Sequence, residues 1–336
     1  MKPRVTIRDV AETAGVSITT VSHVLNGKGR ASEATKRIVL EAAERVGYNA
    51  DPIARSLRTG QTRVIGIVFR PSDAISGSMH GTEYHIRLAG SAATAALSQG
   101  YGLLHLPRLE ERDNPVFPMD GCIVVAPHRN DPAVTSLIRQ RTPYVLADAD
   151  PGRPELEWCL RRDDYGGMQG LLDHMADHGA QQIAFYSGTD ENMWLIEAAR
   201  GYRDWCEKRQ LKPRLARLPE SAGPDRAHDQ ALADLSLTSD KPDAIVAATS
   251  RFAYGVGEAA RKLGLEIPGD LMVAALSDSD IARDYPVPIT ALDLHGETVG
   301  RESVQMLMTR LANDSLEVRQ PILPTLRIRQ STNRRY

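Results

Sequence analysis

The sequence is poor in cysteine, in long apolar runs and in catalytic motifs. Cys122, Cys159 and Cys206 are the 3 cysteines of 336 residues. They stand far apart and make no metal-type spacing, so buried, reduced thiols are expected. No run of about 18 apolar residues occurs, and no secretory apolar segment opens the chain. A membrane span is therefore not expected, and a cytoplasmic location is. Neither a nucleophile elbow nor a phosphate loop is present, so no enzyme, cofactor or metal is expected. His174 and His178 have the spacing of a metal pair on a helix, but no glutamate follows His174 as a zinc-protease motif needs, and a polar helix face is the better reading. Gly255-Val256-Gly257-Glu258-Ala259-Ala260 approximates a dinucleotide fingerprint. It lies inside a helical stretch rather than at a strand–helix junction, which points to close helix packing. No heptad repeat follows Arg329, so a dimer is expected over a tetramer.

What is present begins at the N-terminus. Residues 1–63 hold 11 Lys and Arg against 6 Asp and Glu, a net charge of +5, and residues 64–336 carry a net of −7. A basic head on an acidic body fits nucleic acid at one end only. Thr6 to Ser17 reads as a short helix closed by a turn at Gly15, and Ser17 to Leu25 as a second one. Thr6 and Ser17 sit where a short side-chain oxygen caps free amides. Val10, Ala11, Ala14 and Val16 face Val21 and Val24, which leaves Ile18, Thr19, Ser22 and His23 outward. Two crossed helices packed through small residues make a helix-turn-helix whose second helix is sized for a DNA major groove. A third helix is predicted from about Ser32 to Val46, with Ile38, Val39, Ala42 and Val46 on its core face and Gly47 ending it. Asp51-Pro52 opens one more short helix, running to Arg58. Alone it is too short to be stable in water, so it is expected to be helical only when something holds it.

Asp9-Val10-Ala11-x-x-Ala14-Gly15-Val16-Ser17-x-x-Thr20-Val21-Ser22-x-Val24-Leu25-Asn26 resembles the signature of the lactose-repressor (LacI/GalR) family of bacterial transcription regulators. The resemblance implies a sequence-specific DNA-binding regulator, with repression as the expected mode. It implies a homodimer on a pseudo-palindromic double-stranded operator, and control by an unidentified small-molecule effector. Ile18, Thr19 and His23 then occupy positions that read base edges: His23 donates to a guanine, and Ile18 touches a thymine methyl. Thr6, Ser17, Thr20, Ser22, Asn26, Ser32, Thr35 and Tyr48 fall where the family contacts phosphates. Leu57 matches the family's minor-groove wedge, and Ala54 lets two hinge helices approach. Asn49 and Arg55 lie beside them, towards groove or backbone. An effector that changes the lobe angle moves the chain at Arg63 and so favours or disfavours the DNA-bound arrangement.

From Val64 the pattern changes. Short apolar runs recur at Val64–Phe69, Gly102–Leu106, Gly121–Ala126, Tyr144–Ala147, Ile183–Tyr186, Ala244–Ala248 and Leu271–Leu276, and helical stretches alternate with them. Such runs are strands of parallel sheets covered on both faces. The expected fold class is an N-terminal all-α helix-turn-helix domain plus an α/β two-lobed core. By resemblance that core is periplasmic-binding-protein-like, type I. Residues 1–50 form the head, 51–63 the hinge helix and linker, and 64–336 the core. Lobe 1 takes about 64–160 and 292–325, lobe 2 about 162–290. Asp164-x-Gly166-Gly167, His174, Gly201-Tyr202, Pro288-Ile289-Thr290 and Arg329-x-Ser331-Thr332 are further landmarks of the resemblance.

The resemblance departs in the cleft. The family often places an arginine where Ala198 stands, an Asn-Asp pair at Thr249-Ser250 and an aspartate at Ser277. The candidate effector residues are Asp148, Glu191, Asn192, Trp194, Phe252, Ser277 and Asp278. A less polar ligand, a cation and a lost response all remain open. With carboxylates and no compensating arginine, an anion would meet repulsion and desolvation together, so any effector is expected to be neutral or cationic and partly apolar. The segment between Leu106 and Gly121 reads as a loop where the family usually has a helix, which alters the lobe-1 dimer surface. A binding protein for uptake and a cleft enzyme are the rival readings. The head counts against the first, and the missing catalytic constellation against the second.

Overall fold

The computed structural model describes residues 5–25, 31–48, 60–69, 83–106, 117–317 and 319–334, and it divides into a unit of residues 1–63 and a unit of residues 64–336. The expectations for Asn26, Asn49, Ala54, Arg55 and Leu57, for the hinge helix and for loop 107–116 lie outside the described residues.

In the first unit, α1 (Ile7–Ala14), α2 (Ile18–Leu25) and α3 (Glu33–Val46) enclose a small core of Val10, Ala11, Val21, Val39, Ala42 and Ala43. The turn between α1 and α2 needs a left-handed residue. Gly15 supplies it at φ 65°, and the Val16 amide then returns to the Ala11 carbonyl at 3.1 Å; that closure satisfies the free carbonyls at the helix end. One expectation is corrected here. The buried stripe of α3 runs through Val39, Ala42 and Ala43, while Ile38, one position off the helical repeat, is 46% exposed.

The second unit holds two sheets. The strands of lobe 1 are β1 (Val64–Val68), β2 (Gly102–Leu106), β3 (Gly121–Val125), β4 (Tyr144–Ala147) and β5 (Cys159–Leu160), all parallel, in the order β2-β1-β3-β4-β5. Helices α4 (Glu83–Ser98) and α5 (Pro132–Gln140) belong to this lobe. Its central strands β1, β3 and β4 are buried on both faces: Ile65, Ile67, Ile123, Val125, Val145 and Ala147 point to one core cluster, and Val68, Cys122, Val124, Tyr144 and Leu146 to the other. That two-sided burial is why the runs read as continuous apolar stretches. Lobe 2 begins with α6 (Asp164–Asp177), β6 (Ile183–Gly188), α7 (Met193–Lys208), β7 (Leu215–Leu218) and α8 (Gly223–Leu235). It continues with β8 (Ala244–Ala247), α9 (Ser250–Lys262), β9 (Met272–Ala275), α10 (Asp280–Asp284) and β10 (Thr290–Asp293). The order of its sheet is β11-β10-β9-β8-β6-β7, with β11 (Thr325–Arg327) antiparallel to β10. In each lobe the strand order reverses at the first strand, β1 or β6. A ligand crevice in such a sheet opens at the carboxyl ends beside that reversal.

The chain crosses between lobes three times, once more than the sequence reading allowed. After β10 it enters lobe 1 as α11 (Gly296–Leu311), whose Val299, Val304, Met306 and Leu307 cover the β-sheet core. It then returns to lobe 2 as β11, so residues 325–332, which the sequence reading left unassigned beyond about 325, belong to the second sheet's side. His174 helps to hold this return. It is buried instead of lying on a polar face, and its Nε2 lies 2.8 Å from Thr332 Oγ1. Thr332 Oγ1 lies 2.6 Å from Thr290 Oγ1, and Ser331 donates to the Val273 carbonyl at 2.6 Å. His178 Nδ1 bonds the His174 carbonyl oxygen at 2.7 Å. The landmark threonines, serine and histidine therefore form one clasp. Burial raises the thiols of Cys122, Cys159 and Cys206 above their ordinary values. No helix among the described residues is long and apolar enough to cross a membrane.

Helices α8 and α9, and likewise α4 and α11, touch backbone to backbone. A Cβ on Gly255 would strike the Pro224 carbonyl oxygen, so the glycine-rich stretch serves the packing of α9 on α8. A Cβ on Gly300 would likewise strike the Leu88 carbonyl oxygen of α4. Gly300→Ala is therefore expected to destabilise the chain by about 1–3 kcal/mol, the usual cost of overpacking a tight core. Urea unfolding checks this, and an unchanged midpoint would show that α4 and α11 move apart freely.

Candidate nucleic-acid interface and interlobe cleft

The head presents one face of α2 outward. Ile18 is 43% exposed, Thr19 and His23 are exposed, and Ser22 is half-buried on the same side, while Val21 is buried beneath them. Hydroxyls surround the starts of two helices. Ser17 Oγ accepts the Thr20 amide at 3.1 Å and lies 2.9 Å from Thr20 Oγ1. Ser32 Oγ accepts the Thr35 amide at 3.1 Å and lies 2.8 Å from Thr35 Oγ1. Helix starts carrying free amides and hydroxyls are anion-binding surfaces. Thr6 works differently from the simple cap read in the sequence: its amide and its hydroxyl both donate to Asp9 Oδ2, at 2.7 and 2.8 Å. The bond from the Thr6 amide lowers the Asp9 carboxyl below its ordinary pKa. Tyr48 packs on the head's core and is half-buried.

The cleft between the lobes is crossed by the chain's own polar groups. At one rim, the Arg129 amide donates to the Glu191 carbonyl at 2.9 Å, and Arg129 Nε lies 3.3 Å from Glu191 Oε2. Beside them His128 Nε2 lies 3.7 Å from Asp190 Oδ2, and His128 bridges to Asn192. Asn192 is buried, and its Oδ1 caps α7 by accepting the Leu195 amide at 3.0 Å. Glu191 also lines a rim pocket of about 160 Å³, together with Arg129, Arg203 and Arg217.

Deeper in, at the first crossing, Arg162 is 5% exposed. It forks onto Asp164 through two bonds of 3.1 Å, donates to Tyr84 Oη at 2.7 Å, and reaches Asp148 Oδ2 at 3.4 Å. Burial pushes the Asp148 carboxyl up to about 6 against the pull of Arg162, with Asp164 adding to the rise. The Asp148 charge is thus engaged by the chain itself. A third group of contacts lies at α10. There a pocket of about 30 Å³ is lined by Glu83, Tyr84, Ser277, Asp278, Arg283 and Asp293, among others. Arg329 Nη2 donates to Asp278 Oδ2 at 2.7 Å, and Ser250 Oγ donates to the Ser277 carbonyl at 2.6 Å.

Of the candidate effector residues, Ser277 and Asp278 come together, and Glu191 and Asn192 meet lobe 1 at the rim. Trp194 is half-buried against the lobe-2 core. Phe252 is corrected: it is 1% exposed inside that core and offers no face to a ligand, because it shares the inward stripe of α9 with Val256, Ala259 and Ala260. The sequence reading missed Arg162, Tyr84, Glu83 and Arg283. The run Arg161-Arg162-Asp163-Asp164 at the lobe junction was the available signal, since only pairing allows such charges to be buried.

A head with an exposed reading helix, followed by a two-lobed α/β core, defines a DNA-binding regulator. Residues 6–51 match the family described as bacterial regulatory proteins, lacI family, and residues 172–332 match the periplasmic binding protein-like domain. The transcriptional repressor PurR of Aliivibrio fischeri (strain ATCC 700601 / ES114) is 27% identical over 94% of each chain. The transcriptional regulator CelR of Thermobifida fusca is 26% identical over 98% of each chain. Among solved structures, the Lac repressor dimer bound to operator and the anti-inducer ONPF superposes with a TM-score of 0.82 at 20% identity, covering 98% of this chain and 99% of that one. The chain thus carries a lacI-family head at residues 6–51 and a periplasmic binding protein-like domain at residues 172–332, and it is a DNA-binding transcription regulator.

Arg162→Met is expected to cost about 3–5 kcal/mol at neutral pH, because it leaves buried carboxylates without a counter-charge. The folded chain holds the Asp148 proton up to about pH 6, against an ordinary value of 3.8. Stability contributed by this group therefore rises as pH falls through 6. A protonated Asp148 needs no partner, so the gap between variant and wild type narrows from pH 7.5 to pH 5. Denaturant titrations at the two pH values check this, and a constant gap would contradict it.

Proposed function

We propose that the protein is a cytoplasmic repressor that binds a pseudo-palindromic operator as a homodimer. The observation that carries this reading is the outward face of α2, with Ile18, Thr19 and His23 free to meet base edges. The hydroxyl pairs Ser17/Thr20 and Ser32/Thr35 flank that face with phosphate-binding helix starts. Base contacts give sequence preference, and phosphate contacts give orientation. By analogy with the family, Leu57 as wedge, with Asn49, Ala54 and Arg55, supplies the minor-groove contact. The interlobe cleft takes a small effector, with Asp278, Ser277, Glu191 and Trp194 as its remaining candidate contacts. The structure removes the expected bias against an anion, because Arg329 bonds Asp278 and Arg129, Arg203 and Arg217 line the rim pocket with Glu191.

Selection of bound duplexes from a random pool tests the reading. Two-fold related half-sites are expected, and recovery of asymmetric sites alone would overturn the dimer model. On the selected site, His23→Ala is expected to relax preference at one base pair per half-site, at a cost of roughly 1–3 kcal/mol for each lost contact. An unchanged preference at every position would remove His23 from the reading set.

A further inference from the structure

The pocket beside α10 is closed by a cation that belongs to the chain. Glu83, the first residue of α4 in lobe 1, accepts Arg283 Nη2 at 2.6 Å and the Asp280 amide at 2.9 Å, both from α10 in lobe 2. Arg283 Nη1 lies 3.9 Å from Asp278 Oδ2, and Asp278 Oδ1 is buried with no hydrogen-bond partner. Burial opposes the charge on Glu83, but Arg283 and Arg87 together hold its carboxyl below the ordinary value. The remaining space, about 30 Å³, is room for about one water. Arg283 itself is 37% exposed, so its departure uncovers no core.

We propose that Arg283 is a built-in ligand of the cleft: its guanidinium joins Glu83 of lobe 1 to lobe 2 and fastens the two lobes in the ligand-free chain. A guanidinium suits the place because its planar fork presents two donor edges, one to each carboxylate, which an ammonium does not. Being tethered, Arg283 acts at an effective concentration in the millimolar range. A molecule entering this pocket must displace it, and a free guanidinium or amidinium is the chemical class that replaces it most closely. Among the described residues, an anion finds no uncommitted cation once Arg283 leaves, since Arg87 is paired with Glu83 and Arg329 with Asp278. This inference is independent of whether the cleft takes an effector.

Chemical rescue tests it. The full-length chain is compared with Arg283→Ala and with the double variant Arg283→Ala/Glu83→Gln, each with ethylguanidinium chloride or sodium chloride at 10 mM, about the tethered concentration. Thermal midpoint reports stability, and small-angle scattering reports lobe opening. Arg283→Ala is expected to lower the midpoint by about 2–4 °C, the shift for about 1 kcal/mol in a domain of this size, and to enlarge the particle. Ethylguanidinium is expected to restore part of both changes in the single variant only. A wild-type midpoint and particle size for Arg283→Ala would overturn the proposal. So would an ethylguanidinium effect of equal size in the single and double variants, since that would be a solvent effect and not occupancy of the site.

Discussion

The buried guanidinium of Arg162 is the constraint around which the core is arranged. It lies where the chain first passes from one sheet to the other, among Tyr84 and Asp148 of lobe 1 and Asp164 of lobe 2. Removing one charge from water costs several kcal/mol unless partners and hydrogen bonds replace the lost solvent. Every partner is fixed by a different element: the start of α4, the end of β4 and the start of α6. A rotation of one lobe against the other would separate them. Asp148 is held for this at φ 91°, a backbone region that non-glycine residues rarely adopt. The lobes are therefore bound to a narrow set of relative positions by electrostatics as much as by apolar packing.

The outer contacts extend the same logic. Arg129 with Glu191 and His128 with Asp190 close one rim, and Glu83 with Arg283 closes the pocket beside α10. Exposed pairs of this kind contribute little singly. Here two of them coincide with bonds donated by main-chain amides across the cleft, Arg129 to the Glu191 carbonyl and Asp280 to the Glu83 carboxylate, so side chains and main chain select the same closed arrangement. A regulator built this way has a closed reference state of its own, and a ligand acts by changing the population of that state.

Much of the fold was legible because its physics is local. Gly15 closes a left-handed turn, Ser17 and Ser32 cap the next two helices, and the central strands are apolar on both faces. Strands β5, β7, β10 and β11 escaped notice: β5 and β11 are very short, Leu215–Leu218 carries a polar alternation at the sheet edge, and the four residues Thr290–Asp293 have polar ends. The third crossing was hidden for the same reason, since only the three-residue β11 marks it. Ile38 and Phe252 show the opposite failure, where an apolar residue near the right stripe was assigned the wrong side. The cleft was least legible. Its charges come from residues as distant in sequence as Glu83 and Arg283, and nothing in local spacing announces that an acid will be met by one arginine rather than by solvent.

Amide hydrogen exchange in the ligand-free, full-length chain tests the closed reference state most directly. The amides of Arg129 and Asp280 donate across the cleft, so the account predicts that both exchange far more slowly than unstructured peptide and slow together. Exchange of these two amides at free-peptide rates, while those of β3 and β9 stay protected, would show the lobes standing open and would contradict it.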